Sequence, residues 1–148
     1  MVQPTRKMLR GLRFTELDRY PLRVAVAPSH PLAGARTLNL AAVAREPLIG
    51  YSRKDYPETQ DMFEILFKGK GPKPRMAEEH DSVTSLIAAV ESGRGIALVP
   101  SCLECMVGAR LKLIPLTPAG PPIVVGAAVR AGTVPAIIEK FIAAAQAK

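Results

Sequence analysis

The stretch ESGRGIALVP, residues 91–100, sets a Gly-x-Gly directly before a run of apolar, β-prone residues. Glycines at that spacing cradle phosphates when they follow a strand and open a helix, because N-terminal helix N–H groups then face the anion. Here the order is reversed. Upstream, Val83, Leu86, Ile87 and Val90 recur at i, i+3, i+4 and i+7, the spacing of an amphipathic helix over residues 82–92. Asp81 stands where an N-cap would accept a free backbone N–H, and Gly93 suits the left-handed position that closes a helix. Downstream, Ile96-Ala97-Leu98-Val99 has no polar side and reads as a strand covered on both faces. No Lys-Ser/Thr follows the glycines, so a Walker loop is not expected. The stretch is a helix-to-strand joint.

The same alternation extends in both directions. Residues 22–28 form a strand with Leu22, Val24 and Val26 on one face, and SHPLAGA is a loop punctuated by Pro31 and Gly34. Asn39 can cap a brief helix over 40–45, and PLIGY is a short apolar strand. Asp55 and Pro57 suit the start of a helix over 57–68, with Met62, Ile65 and Leu66 inward. Residues 74–79 are a strand. Beyond the joint come a short helix from Cys102, strands at 111–116 and 123–130, and a final helix over 135–147. Residues 1–20 show little periodicity and look like an arm, its basic part being 1–14. Strands and helices this short, in this order, predict an α/β fold with a mainly parallel sheet flanked by helices.

A chain of 148 residues is long enough to bury a core, and its 48% apolar and 22% charged residues are ordinary for a globular protein. No apolar run approaches the ~20 residues of a membrane span. The basic start lacks the apolar segment of a secretory signal, so a cytoplasmic protein is expected. The net charge of +7 is concentrated in Arg6, Lys7, Arg10 and Arg13 and in KGKGPKPR (Lys68, Lys70, Lys73, Arg75). Such clusters can track phosphates, but no aromatic residues interleave the second one to stack on bases. A solvated tail and loop explain them more simply.

Cys102 and Cys105 make a C-x-x-C after a strand, the place for a redox pair. Glu104 in the gap would raise a thiol pKa instead, and zinc would need two further ligands that His30 and His80 do not supply at a paired spacing. Two free thiols are expected, with no metal and no cofactor. No Gly-x-Ser-x-Gly is present, and Glu78, Glu79 and Asp81 are adjacent acids rather than a tuned pair. No catalytic constellation emerges, and a binding module is expected rather than an enzyme.

The succession PLRVAVAPSHPLAG, LAAVAREPLIGYSR, DSVTSLIAAVESGRGIALVPS and LIPL…VGAAVRAG resembles the effector-binding domain of LysR-type transcriptional regulators, from about Leu12 onward. The resemblance implies part of a type 2 periplasmic-binding-protein-like fold, with two α/β subdomains, two crossing strands and a small effector in the cleft between them. It assigns residues 15–148 to a partial effector domain, with a core over about 22–130 and a C-terminal helix over about 135–147. Residues 22–28 and 123–130 would be the crossing strands. The winged helix-turn-helix, linker helix and most of the first subdomain that a full regulator carries are expected to be missing. The implied function is small organic anion sensing in transcription regulation. Direct DNA binding is not expected. A module pairing with an intact regulator and a basic nucleic-acid binder are the alternatives.

Ligands of open α/β sheets gather beyond the carboxyl ends of strands. By position in the resemblance, Tyr51, Ser52 and Arg53 supply an aromatic wall, a hydroxyl and a cation for a carboxylate. His80 and Ser82 would face the same cleft, and Ser29 and His30 sit at a hinge. A solvated loop remains the plainer alternative for each. Finally, Ile137, Ile138, Phe141 and Ile142 form an apolar stripe that the family buries against its first subdomain. Leaving such side chains in water costs about 1.5–3 kcal/mol each, so a homodimer or a swap of the C-terminal strand and helix is expected, with these four in contact.

Overall fold

The structure is a computed structural model that describes residues 10–147. Its strands are β1 (Leu12–Tyr20), β2 (Leu22–Val26), β3 (Pro47–Tyr51), β4 (Arg75–His80), β5 (Ala97–Pro100), β6 (Lys112–Pro115) and β7 (Ile123–Arg130). The helices are α1 (Leu40–Val43), α2 (Pro57–Phe67), α3 (Val83–Glu91), α4 (Glu104–Val107) and α5 (Ala136–Gln146). Two units result: Pro21–Pro121, and the chain's two ends together, Met1–Tyr20 with Pro122–Lys148.

In the larger unit β3 and β4 pair in parallel, from Pro47↔Arg75 to Tyr51↔His80. A parallel bridge, Leu48↔Ile96, ties β3 to the residue before β5. There Ile49 N donates to Ile96 O at 2.8 Å, and Ile96 N to Pro47 O at 2.9 Å. β2 runs antiparallel to both β5 and β6. Strands β3, β4, β5 and β6 therefore point one way and β2 the other: pairing is parallel across β3–β4 and the bridge to β5, and antiparallel on both sides of β2. This explains both glycines of the opening stretch. Gly93 takes φ +77° to end α3, whereas a Cβ on Gly95 would lie 2.4 Å from Pro47 O. The second glycine lets the β3 and β5 backbones approach.

The core of this unit forms where Leu86, Ile87, Ala89 and Val90 of α3 meet Ile49, Ala97, Val99, Leu103 and Val107. Local expectations are corrected at two helix starts and on one helix face. Ser82, not Asp81, caps α3, its hydroxyl accepting from Ser85 N at 3.3 Å. At α2 the cap position is Tyr56 rather than Asp55, with no side-chain cap bond. On α2 the buried residues are Phe63, Leu66 and Phe67, while Ile65 is 74% exposed. Two apolar triplets compete there, and the one carrying two aromatic rings buries more area.

The smaller unit corrects the expected arm. Residues 12–20 are β1, antiparallel to β7 from Leu12↔Arg130 to Tyr20↔Ile123, with a bulge between Glu16 and Asp18. The strand was illegible because its polar residues, such as Arg13, Glu16 and Asp18, break any apolar alternation, and pairing with β7 decides it. The arm positions Val2, Arg6, Lys7, Met8 and Leu9 lie outside the described residues. β7's partner is thus β1, and the supposed crossing strand at 22–28 is β2, inside the larger unit's sheet. Helix α5 is tied to β1 by a bond from Gln146 Nε2 to Glu16 O at 3.0 Å and by the Arg13–Glu139 ion pair.

Candidate functional site

The carboxyl ends of β3, β4 and β5 meet at one edge of the larger unit, and α3 begins there. Tyr51 and His80 are register partners, and Ser52 N donates to His80 O at 2.8 Å. A bulge in β4 leaves Ala77 unpaired, so Met76 pairs with Leu48 but Glu78 with Ile49. Successive strand residues face opposite sides. The bulge therefore turns Glu78 and His80 to the α3 side, together with Ile49 and Tyr51. Here His80 Nε2 lies 3.1 Å from Glu78 Oε2, and Arg94 Nη1 lies 3.0 Å from the same oxygen. Tyr51 and Tyr56 contact at 4.9 Å between centroids, and the Tyr56 hydroxyl donates to Asp81 O at 3.1 Å.

Burial raises the Tyr51 phenol above its ordinary pKa, with smaller contributions from Tyr56 and Cys102. The hydroxyl therefore keeps its proton and can donate. Ser82 spends its oxygen on capping α3, but the first-turn N–H groups of that nine-residue helix still carry partial positive charge. Half-buried walls, hydroxyl donors and a helix start together offer hydrogen-bond donors to a small polar ligand.

Of the residues expected from sequence, Tyr51, Ser52, His80 and Ser82 come together at this edge. Arg53 does not join them. Its guanidinium lies 3.9 Å from Glu64 Oε1 and lines a groove beside α2. Ser29 and His30 stand at the opposite edge, because β2, which they follow, is the reversed strand. His30 is occupied with local structure: Nδ1 accepts from Leu32 N at 3.2 Å, and Nε2 lies 3.7 Å from Glu46 Oε2. Sequence reasoning missed Tyr56 and Cys102 beside Tyr51. Tyr56 was within reach as the second aromatic of GYSRKDY, whereas the place of Cys102 depends on where β5 ends relative to β3. Both cysteines are free thiols, Cys105 exposed and Cys102 half-buried.

The α5 stripe divides. Ile142 is buried within its own chain at 5% exposure, which removes it from any intermolecular contact. Ile137 and Phe141 are 73% and 69% exposed, and Ile138 is at the margin.

The family described as LysR substrate binding domain matches residues 2–148. The chain is 28% identical over 119 residues to the HTH-type transcriptional regulator TtuA of Agrobacterium vitis, covering 80% of this chain. To the HTH-type transcriptional regulator IlvR of Caulobacter vibrioides it is 29% identical over 120 residues, covering 81%. It spans 39% of the length of each. Among solved structures, the BenM effector binding domain with its effector benzoate is similar at TM-score 0.77 and 25% identity, over 93% of this chain and 63% of that one. The Synechocystis PCC6803 CcmR regulatory domain in complex with 2-PG shares the fold at TM-score 0.77 and 21% identity, over 99% and 70%. The effector binding domain of QuiR in complex with shikimate does so at 0.75 and 18%, over 93% and 64%.

Proposed function

Because this chain belongs to the LysR substrate binding domain family, we propose that it is a sensing module for a small organic anion, acting in transcription regulation in the cytoplasm. The observation that carries the reading is the meeting of Tyr51, Ser52, His80 and the start of α3 at one sheet edge. A carboxylate there accepts from the neutral Tyr51 hydroxyl, the Ser52 hydroxyl and α3 backbone N–H groups, while Tyr51 and Tyr56 flank its apolar part. Benzoate and shikimate, bound by two of the similar proteins, are both carboxylates. A ligand held between the loop after β3 and the start of α3 stabilises that arrangement in proportion to its occupancy.

Calorimetric titration with benzoate and shikimate tests this. Saturable binding that weakens about tenfold or more in Tyr51→Phe is expected, the size of one hydrogen bond to a charged acceptor. A folded protein that binds neither at millimolar concentration, or a Tyr51→Phe variant that binds unchanged, contradicts the reading.

The exposed Ile137 and Phe141 favour a protein contact as well, and we assign it to a second copy of the chain. Light scattering should give a dimer that Ile137→Ser with Phe141→Ser converts to monomer. A monomer at micromolar concentration in the parent protein contradicts self-association. If co-precipitation recovers an intact regulator with that monomer, the pairing alternative takes its place.

A further inference from the structure

The alternation along β3 that puts Tyr51 on the α3 side puts Leu48 on the other, towards α2, together with its register partner Met76. There they floor a groove of about 450 Å³, within the range of small-molecule sites. Its apolar wall is Phe63 and Phe67, one turn apart on α2, whose rings meet edge-on at 6.4 Å and 74°. Gly50 lets Met76 lie close against β3: a Cβ there would come within 2.9 Å of Met76 Sδ and 3.5 Å of Phe63. Lys68, Lys73 and Arg53 stand around this lining, against the single acid Glu64. Glu64 lies 3.9 Å from Arg53. Among the described residues neither lysine has an ion-pair partner, so two positive charges face an apolar slot with nothing to neutralise them. Gly69 and Gly71, at φ +70° and +123°, carry the chain around the mouth and present backbone there without side chains.

We propose that this groove is a second binding site, separate from the edge at Tyr51, for an amphiphilic monocarboxylate: a short acyl chain or single ring between Phe63, Phe67 and Met76, with its carboxylate between Lys68 and Lys73. Burial of the apolar part provides the main attraction, and the lysines select for the anion. The site stands independently of any ligand at the opposite face of β3 and β4.

Octanoate is the probe, with octanol as its neutral counterpart, followed by amide and methyl chemical shifts on the full chain. Octanoate should shift the Met76 methyl and the Gly69 and Gly71 amides saturably and bind more tightly than octanol. It should bind about fivefold more weakly to the Lys68→Ala/Lys73→Ala protein, two exposed charge contacts being worth about that much. Both lysines are exposed, so circular dichroism should find that variant folded. The proposal is overturned if octanol binds as well, if the double variant binds octanoate unchanged, or if the shifts fall only on Tyr51, His80 and Ser82. A Tyr51→Phe protein that loses benzoate but keeps octanoate supports two sites; loss of both from that single change overturns their separation.

Discussion

The Pro21–Pro121 unit and the unit made of the two chain ends solve the same problem with unequal means. The larger one lays helices on a sheet and contains every apolar residue buried among the described residues except Ile142. The smaller one has a two-stranded ribbon and one helix, and its α5 keeps Ile137 and Phe141 in water. A two-stranded ribbon is marginal by itself and gains stability only from what packs on it. The contrast separates a scaffold with a buried core that can position a binding edge from a ribbon and helix held by strand pairing, with Ile142 alone fully buried among its described apolar residues.

The sharpest way to break that contrast is to damage the scaffold. Leu86, 1% exposed in the α3 core, should lose about 3–4 kcal/mol on truncation to alanine, read as a fall in the urea midpoint. At a dilution where the chain is monomeric, Ile137→Ala should stay within about 0.5 kcal/mol. Equal losses at the two positions would mean the units do not differ as described.

Next comes a clash confined to the smaller unit. A Cβ on Gly126 would lie 2.4 Å from both the Phe14 ring and Thr15 O, so Gly126→Ala should cost about 1–3 kcal/mol as overpacking does. Hydrogen exchange should show β1 and β7 amides losing protection while α3 amides keep theirs. If α3 loosens in parallel, the units unfold together.

Smaller still is the cap at the candidate edge. Ser82→Ala should cost about 1 kcal/mol, whereas Asp81→Ala should cost much less, which distinguishes the observed cap from the one expected by position. The least effect belongs to the surface pair Glu91–Arg110, where the Arg110 guanidinium holds the Glu91 carboxyl below the ordinary carboxylate range. A carboxylate with a depressed folded pKa contributes above its unfolded value and loses that contribution as pH falls through the folded one. Arg110→Gln should therefore differ slightly from the parent protein at neutral pH. The difference should vanish in acid, as followed by thermal midpoints across pH.

Strong local periodicity was legible. α3 and β7 lie within a residue or so of where pattern alone puts them, because the four apolar positions of α3 and the apolar run of residues 123–129 admit one reading each. β1 was not legible, since LRFTELDRY has no clean alternation and becomes a strand through its register with β7. Nor was the buried face of α2, where side-chain size decided between two equally spaced triplets.

The candidate site divides along the same line. Residues 51, 52, 80 and 82 could be assembled from sequence through the family resemblance, because each stands at or just after the end of a strand that the pattern marks. The side to which each residue points could not. One bulge at Ala77 sends Met76 and Glu78 to opposite faces, and one reversed strand sends Ser29 and His30 to the far edge. Periodicity is a property of neighbours in the chain and survives in the sequence alone. Strand direction, register and the face of a side chain are set by hydrogen bonds between residues tens of positions apart, and these exist only in the folded chain.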